Sequence, residues 1–362
     1  MSGPDVPTAS RVDLASRRDE GKAGQDLNPD RQGEEGVSAI GSAPNVTIRL
    51  EDIADPASRS RVALPQLTAH SACNPSVISR RGKLMAVYKG VNYTLRKGGY
   101  QGWYGGFAVP FSDSQNYLAV LSEDLEIERA GFIEDRHIRA NSYAYNGIQD
   151  LRLFSWNGKL CCAGVAITHK PEPELGGFRK IKRVLLCELK GGTLHPLLLL
   201  PGWQDYEKNW MPWVRNNELN LIYAQDPYNI LKVEQNTITE QIFPQAQPEL
   251  AGQSGGSCVV PFGDRFISVI HRKYPGVLND PAEGEALVAY THSLVIYSAD
   301  YDVLAVSPEF TFEGERVEFC CGIAIVGESV VFSYGVWDEE AILLKLPLRD
   351  VLDRLGLSAF SG

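Results

Sequence analysis

Five times along the chain an apolar strand runs into a tight polar turn and returns as a second apolar strand. The turns fall at Arg81-Gly82-Lys83, Asn157-Gly158-Lys159, Asn216-Asn217-Glu218, Gly263-Asp264-Arg265 and Gly327-Glu328-Ser329. The returning strands run from Leu84 to Lys89, Leu160 to Ile167, Leu219 to Ala224, Phe266 to His271 and Val330 to Tyr334. A lone hairpin cannot bury both faces of its sheet, whereas repeated hairpins bury them by stacking on one another. Five copies predict an all-β, five-bladed β-propeller. Such a ring gathers side chains from every blade around one axis, so function is sought where leading strands begin and returning strands end.

The remaining segments fit one repeat domain. Residues 1–44 are rich in Ser, Gly, Asp, Arg and Glu and contain no aromatic residue, which predicts a disordered tail. Val46-Thr47-Ile48-Arg49-Leu50 reads as the first strand, and residues 45–362 as the propeller. Long insertions, Lys89 to Phe107 and Lys273 to Ala289, are expected as loops on one face. Apolar residues at helical spacing between Leu348 and Leu355 predict a short C-terminal helix.

Charge and cysteine usage exclude several classes. A net charge of −10 argues against a nucleic-acid surface, which needs clustered Lys and Arg. Two of the seven-cysteine set's pairs are adjacent, Cys161-Cys162 and Cys320-Cys321. Strand neighbours point to opposite faces, which disfavours a vicinal disulfide. No spacing fits a zinc site, and no metal is expected. The cysteines read as buried small hydrophobes in a reducing compartment. With no apolar signal region and no spanning apolar run, the expectation is a cytoplasmic protein without a membrane span.

The leading strands open on Asn74-Pro75, Gln149-Asp150-Leu151-Arg152, Lys208-Asn209-Trp210, Gly255-Gly256-Ser257 and Cys320-Cys321-Gly322. Returning strands end on Tyr88-Lys89, Tyr223, His271-Arg272 and Tyr334 to Asp338. Amides, carboxylates and aromatics converging on one pocket suit a sugar, with its hydroxyl edge and apolar faces.

In register, these segments resemble glycoside hydrolase family 130, the inverting β-mannoside phosphorylases and their relatives, over nearly the whole expected propeller. Asn74-Pro75 resembles the family's first-blade motif, and Gly147-Ile148-Gln149-Asp150-Leu151-Arg152 its Gly-x-Glu-Asp-Pro-Arg signature. Lys182 to Leu186 resembles its Arg-x-x-Leu strand, and Glu207-Lys208-Asn209-Trp210-Met211-Pro212 its third-blade motif. His271 falls at its Tyr-His pair, and Phe332 to Asp338 at its Tyr-Tyr-Gly-x-x-Asp ending.

The resemblance implies a five-bladed propeller and an inverting glycosyl-transferring enzyme on a β-mannoside-like glycan, acting as a phosphorylase or a glycosyltransferase. Asp150 would be the general acid. Asn74, Tyr88, Arg152, Asn209 and Asp338 would bind sugar, and Arg183, Lys208 and His271 would hold phosphate. No cofactor is implied beyond inorganic phosphate or a sugar-phosphate donor as co-substrate. The chain departs from the pattern at Gln149 and Leu151, and Trp210 and Trp213 are expected to enlarge the third-blade opening. Two alternatives stand beside this reading. One is a β-mannoside hydrolase, with Glu318 or Asp338 as the second carboxylate. The other is a non-catalytic glycan-binding propeller.

Overall fold

The computed structural model describes residues 46, 48–94, 101–104, 107–109, 113–140, 147–172, 177–234, 237–245, 247–275 and 288–360. The expected N-terminal tail lies outside these residues. Five antiparallel sheets form the ring. Their innermost strands are Ser71–Arg80 in blade 1, Gln149–Trp156 in blade 2 and Met211–Arg215 in blade 3. In blade 4 the short strands Gln253–Gly255 and Val260–Phe262 share this place, and Glu318–Val326 takes it in blade 5.

Turn chemistry builds each inner hairpin. Arg81-Gly82, Asn157-Gly158 and Asn216-Asn217 all have positive φ at both central residues. That is the type I′ geometry whose twist matches the flanking strands and which favours Asn and Gly. In blades 4 and 5 the first turn residue, Gly263 or Gly327, alone is left-handed.

Five apolar clusters fill the five gaps between neighbouring blades. Leu84, Ala86 and Tyr88 of blade 1 pack against Ala324, Val331 and Leu343 of blade 5. Val87 of the same strand faces blade 2, against Leu151, Leu153 and Cys162. Alternate residues of one strand thus serve two interfaces, as the period of two requires. Phe154, Leu186, Trp210 and Leu221 join blades 2 and 3, and Trp213, Ile222, Ile270 and Tyr297 join blades 3 and 4. Ile267, Leu294, Ile323 and Phe332 join blades 4 and 5, where helix Leu348–Arg354 docks through Val351 and Leu352. All seven cysteines are free and buried, as expected of small hydrophobic side chains.

The ring is closed by the two ends of the described chain. Ser60–Ala63 pairs antiparallel with Ile342 to Lys345, so blade 5 takes its outer strand from the N-terminal side. The sequence predicts a first strand at 46–50 instead. Of the described residues there, Arg49 forms only an isolated parallel bridge to Thr311, and Leu50–Asp52 makes a 3-10 turn. Leu50 nevertheless anchors the segment, being fully buried in the cluster between blades 4 and 5. The Lys89 to Phe107 insertion is not a plain loop: its described parts, Tyr93–Thr94, Gln101–Tyr104 and Phe107–Val109, form a small sheet.

Candidate functional site

Three residues at the axis carry an unusual backbone. Asn74 lies within the inner strand of blade 1, Asp150 is the second residue of blade 2's and Asn209 precedes blade 3's, and all have positive φ, between 47 and 63°. Asn and Asp are the non-glycine residues that best tolerate this region. In blades 1 and 2 the strand register shifts there, between Cys73 and Ser76 and between Ala163 and Val165. Such bulges re-aim side chains at sheet ends.

Asn74 and Asp150 meet. Asn74 Nδ2 donates to Asp150 Oδ1 at 3.0 Å. The Lys89 ammonium reaches the same oxygen at 2.8 Å, with Lys89 5% exposed and Asp150 22%. Both donors therefore engage Oδ1, and Oδ2 accepts no hydrogen bond among the described residues. Burial alone would raise the Asp150 pKa. The Lys89 charge, the two hydrogen bonds and the Arg152 guanidinium outweigh it and hold the carboxyl well below its usual range. Lys89 is likewise desolvated, yet Asp150, Tyr93 and Asp338 keep its ammonium charged. Tyr93 donates to Asp338 Oδ2 at 2.6 Å, which brings the left-handed turn Trp337-Asp338 of blade 5 into the same cluster. Gly335 makes room for this arrangement: a Cβ there would lie 2.1 Å from Asn74 Oδ1. The buried thiols of Cys73 and Cys321 adjoin these charges, and burial pushes both pKa values up, so they remain neutral rather than nucleophilic.

Other expected site residues are held in packing or structural hydrogen bonds. Tyr88 is buried in the interface with blade 5, and its hydroxyl donates to the Pro65 carbonyl. Strand parity explains this: Tyr88 faces blade 5, so Lys89 faces blade 2 and Asp150. Arg152 is 2% exposed, and its Nε donates to Gly256 O at 2.6 Å and its Nη2 to Asn209 Oδ1 at 3.2 Å. It ties blades 2, 3 and 4 across the axis instead of presenting its guanidinium to a ligand, and it occupies Asn209 as well. Trp210 and Trp213 do not widen the third-blade opening; both are buried in inter-blade clusters.

The expected phosphate ligands are split. Arg183 Nη1 donates to the carbonyls of Lys182, Gln204 and Asp205, so part of the guanidinium fastens the loop before blade 3. Glu207, buried, fixes the same loop by accepting the Trp203 and Gln204 backbone N–H groups. Lys208 is partly buried beside it. His271 is fully buried between Tyr290 and Phe319, and neither ring nitrogen has a hydrogen-bond partner among the described residues. Burial first, then the charges of Lys273, His292, Arg152 and Lys208, hold its pKa well below the ordinary value. A buried imidazole with two unmet nitrogens amid cations is suited to an anion.

Glu318 is not a second carboxylate at the axis. It is buried, and it accepts backbone N–H groups of Phe312, Glu313 and Glu315 at 2.6, 2.8 and 3.0 Å. Burial outweighs those donors and its pKa is pushed up to about 7. Its place is structural, shaping the 312–315 turn. Lys89 and Tyr93 are the axial residues that motif reading passed over.

No family model matches the chain, and no curated protein matches it by sequence. Solved structures do match. A β-1,2-mannobiose phosphorylase from Listeria innocua superposes with TM-score 0.53 at 12% identity, over 81% of this chain and 95% of that one. A GDP-Man-dependent mannosyltransferase from Leishmania mexicana gives 0.50 at 14%, over 80% and 90%. A structure described under family 130 glycoside hydrolases that target β-1,2-mannosidic linkages gives 0.52 at 10%, over 77% and 85%. At these identities the likeness is one of fold: the chain shares the five-bladed propeller of mannoside phosphorylases, hydrolases and a mannosyltransferase.

Proposed function

We propose that the protein is an inverting glycosyl-transferring enzyme that builds a mannoside-type glycan, with Asp150 as its proton-transfer group. The observation that carries this reading is the asymmetry of Asp150. Oδ1 is anchored by Lys89 and Asn74, while Oδ2 is left for a substrate hydroxyl. Its lowered pKa keeps the resting carboxylate ionised, which suits a base better than an acid. The acceptor hydroxyl would give its proton to Oδ2 as its oxygen attacks the anomeric carbon. The bond to the leaving phosphate oxygen breaks at the same time, and the phosphate departs with the electron pair. The reverse reaction, phosphorolysis, would use the same group as acid, but only after protonation against the Lys89 charge.

His271 and Lys208 would receive the phosphate of a sugar 1-phosphate or a nucleotide sugar, and Asp338 with Asn74 would meet sugar hydroxyls. Positioned cations and imidazole neutralise the leaving group and orient it for in-line displacement. The reaction calls for no cofactor beyond this co-substrate. Hydrolysis is less well supported, since Glu318 is committed to backbone donors and only Asp338 remains as a water-activating carboxylate.

The test is a donor screen. Mannose 1-phosphate, other sugar 1-phosphates and GDP- or UDP-sugars are incubated with oligosaccharide acceptors, and extension is read by mass spectrometry. Wild type should extend an acceptor, and Asp150→Asn should lose about 10²- to 10⁴-fold in rate while keeping its fold. Full activity in that variant would remove Asp150 from the chemistry. Silence across the panel with saturable glycan binding would leave a binding propeller.

A further inference from the structure

A cleft of about 500 Å³ opens on blade 1, beside the axial cluster and not part of it. Its walls are strands Ser114–Leu121 and Ile127–Phe132 and the short helix Arg136–Ala140. That volume lies within the roughly 300–1,000 Å³ of small-ligand sites.

Two buried acceptors in its wall have no partner among the described residues: Asn116 Oδ1 and Asp135 Oδ2. Asn116 is 2% exposed and Asp135 6%. Asn116 Nδ2 donates to Ile148 O at 2.9 Å, which sets the amide so that its oxygen is the atom left over. Leaving such acceptors dry is costly, so the site calls for donors from a ligand.

The cations of the cleft are already engaged within it. Arg139 donates to Asp113, Asp135 and the Ser114 carbonyl, and Arg136 grips Glu134 with two of its nitrogens. An anionic ligand would find three carboxylates against two neutralised guanidinia. A metal is not favoured either, for no group of three or more His, Cys, Asp or Glu among the described residues is arranged to hold one.

Phe132 supplies the remaining feature. It is 58% exposed at the cleft, and its ring is backed by Tyr117 at 5.2 Å between centroids. A braced, open aromatic face beside unmet hydrogen-bond acceptors matches a pyranose, which has an apolar C–H face and a hydroxyl edge.

We propose that this cleft is a second carbohydrate site, binding a neutral hexose unit of an oligosaccharide through Phe132, Asn116 and Asp135. It shares a wall with the axial centre. Asn116 stands opposite Lys89 in the strand register, and its Ile148 partner lies just before Asp150. That the same oligosaccharide reaches Asp150 rests on the function proposed above; binding in the cleft does not.

The experiment separates the two. Tri- and tetrasaccharides of mannose, glucose and galactose are titrated calorimetrically into Asp150→Asn protein, so that turnover plays no part. At least one should bind, and Phe132→Ala should weaken it about tenfold by removing the apolar contact, with the fold checked by near-UV circular dichroism. Asp135→Asn, which keeps the shape, should weaken the same ligand. Sensitivity of binding to Phe132→Ala without any transfer by wild type would remove the reaction and leave the cleft. No binding across the panel, or binding indifferent to both substitutions, would overturn the proposal.

Discussion

Lys89→Met is the perturbation that most sharply probes how the axial centre is poised. It removes a positive charge 2.8 Å from Asp150 Oδ1 and leaves a side chain of similar length. At an effective dielectric constant of about 20, unit charges at that separation interact by roughly 6 kcal/mol. Asp150 is 22% exposed, so much of that is lost to solvent, and relaxation of Asn74 takes more. If only a quarter survives, the Asp150 pKa rises by about one unit, since one unit corresponds to about 1.4 kcal/mol. The acid limb of kcat/KM for transfer reports the base of the free enzyme, so it should move up by about one pH unit. Carboxyl titration of ¹³C-labelled aspartate by NMR should show the same displacement without relying on turnover. A second consequence concerns stability. A depressed folded pKa stabilises the protein above the unfolded carboxyl value and loses that contribution as pH falls through the folded one. Lys89→Met should therefore be less stable than wild type by about 1.5 kcal/mol near neutral pH, the same quarter of the pair energy. The gap should narrow in acid. An unmoved acid limb together with an unchanged Asp150 titration would refute the argument.

Three further outcomes follow from the geometry. Gly335→Ala places a methyl against Asn74 Oδ1, so Asn74 must shift away from Asp150. Transfer should fall by about tenfold or more with a stability loss of about 1–3 kcal/mol, measured by initial rates and urea titration; wild-type kinetics would contradict it. Glu318→Gln tests the raised carboxyl. Because its folded pKa of about 7 exceeds the unfolded value, wild-type stability should decline as pH rises from about 4.5 to 7 relative to the Gln variant, and parallel pH–stability curves would refute this. Inorganic phosphate should bind with proton uptake and more tightly toward pH 6, because an anion beside His271 raises its lowered pKa. Calorimetry in buffers of different ionisation enthalpy reads the proton, and binding without uptake would remove His271 from the anion site.

The hairpins were legible because their turns carry local chemistry: Asn157-Gly158 and Arg81-Gly82 name a type I′ turn before any tertiary contact exists. The closing strand Ser60–Ala63 was not, since its partner lies some three hundred residues away and nothing local specifies the pairing. At the site, Asp150 and Asn74 were readable as residues that open inner strands, and the structure joins them by a hydrogen bond. The resemblance implies Tyr88 as a sugar ligand; the period of two turns Tyr88 into the interface with blade 5 and Lys89 toward Asp150, so a single residue of parity separates the blade core from the axis. The resemblance implies Arg152 as a sugar ligand; in the structure three blades converge on it, and carbonyls and Asn209 take up donors of its guanidinium. Glu318 similarly answers to backbone N–H groups of a turn whose path no local pattern reveals.

The most direct test of the central claim is the anomeric configuration of the first product formed from an α-configured mannosyl donor, mannose 1-phosphate or GDP-mannose, followed by proton NMR with wild type and Asp150→Asn side by side. The account predicts a β-mannoside from wild type, formed by one displacement with inversion, and almost none from the variant. An α-linked product, or a β-linked product formed equally well without the Asp150 carboxylate, would contradict it.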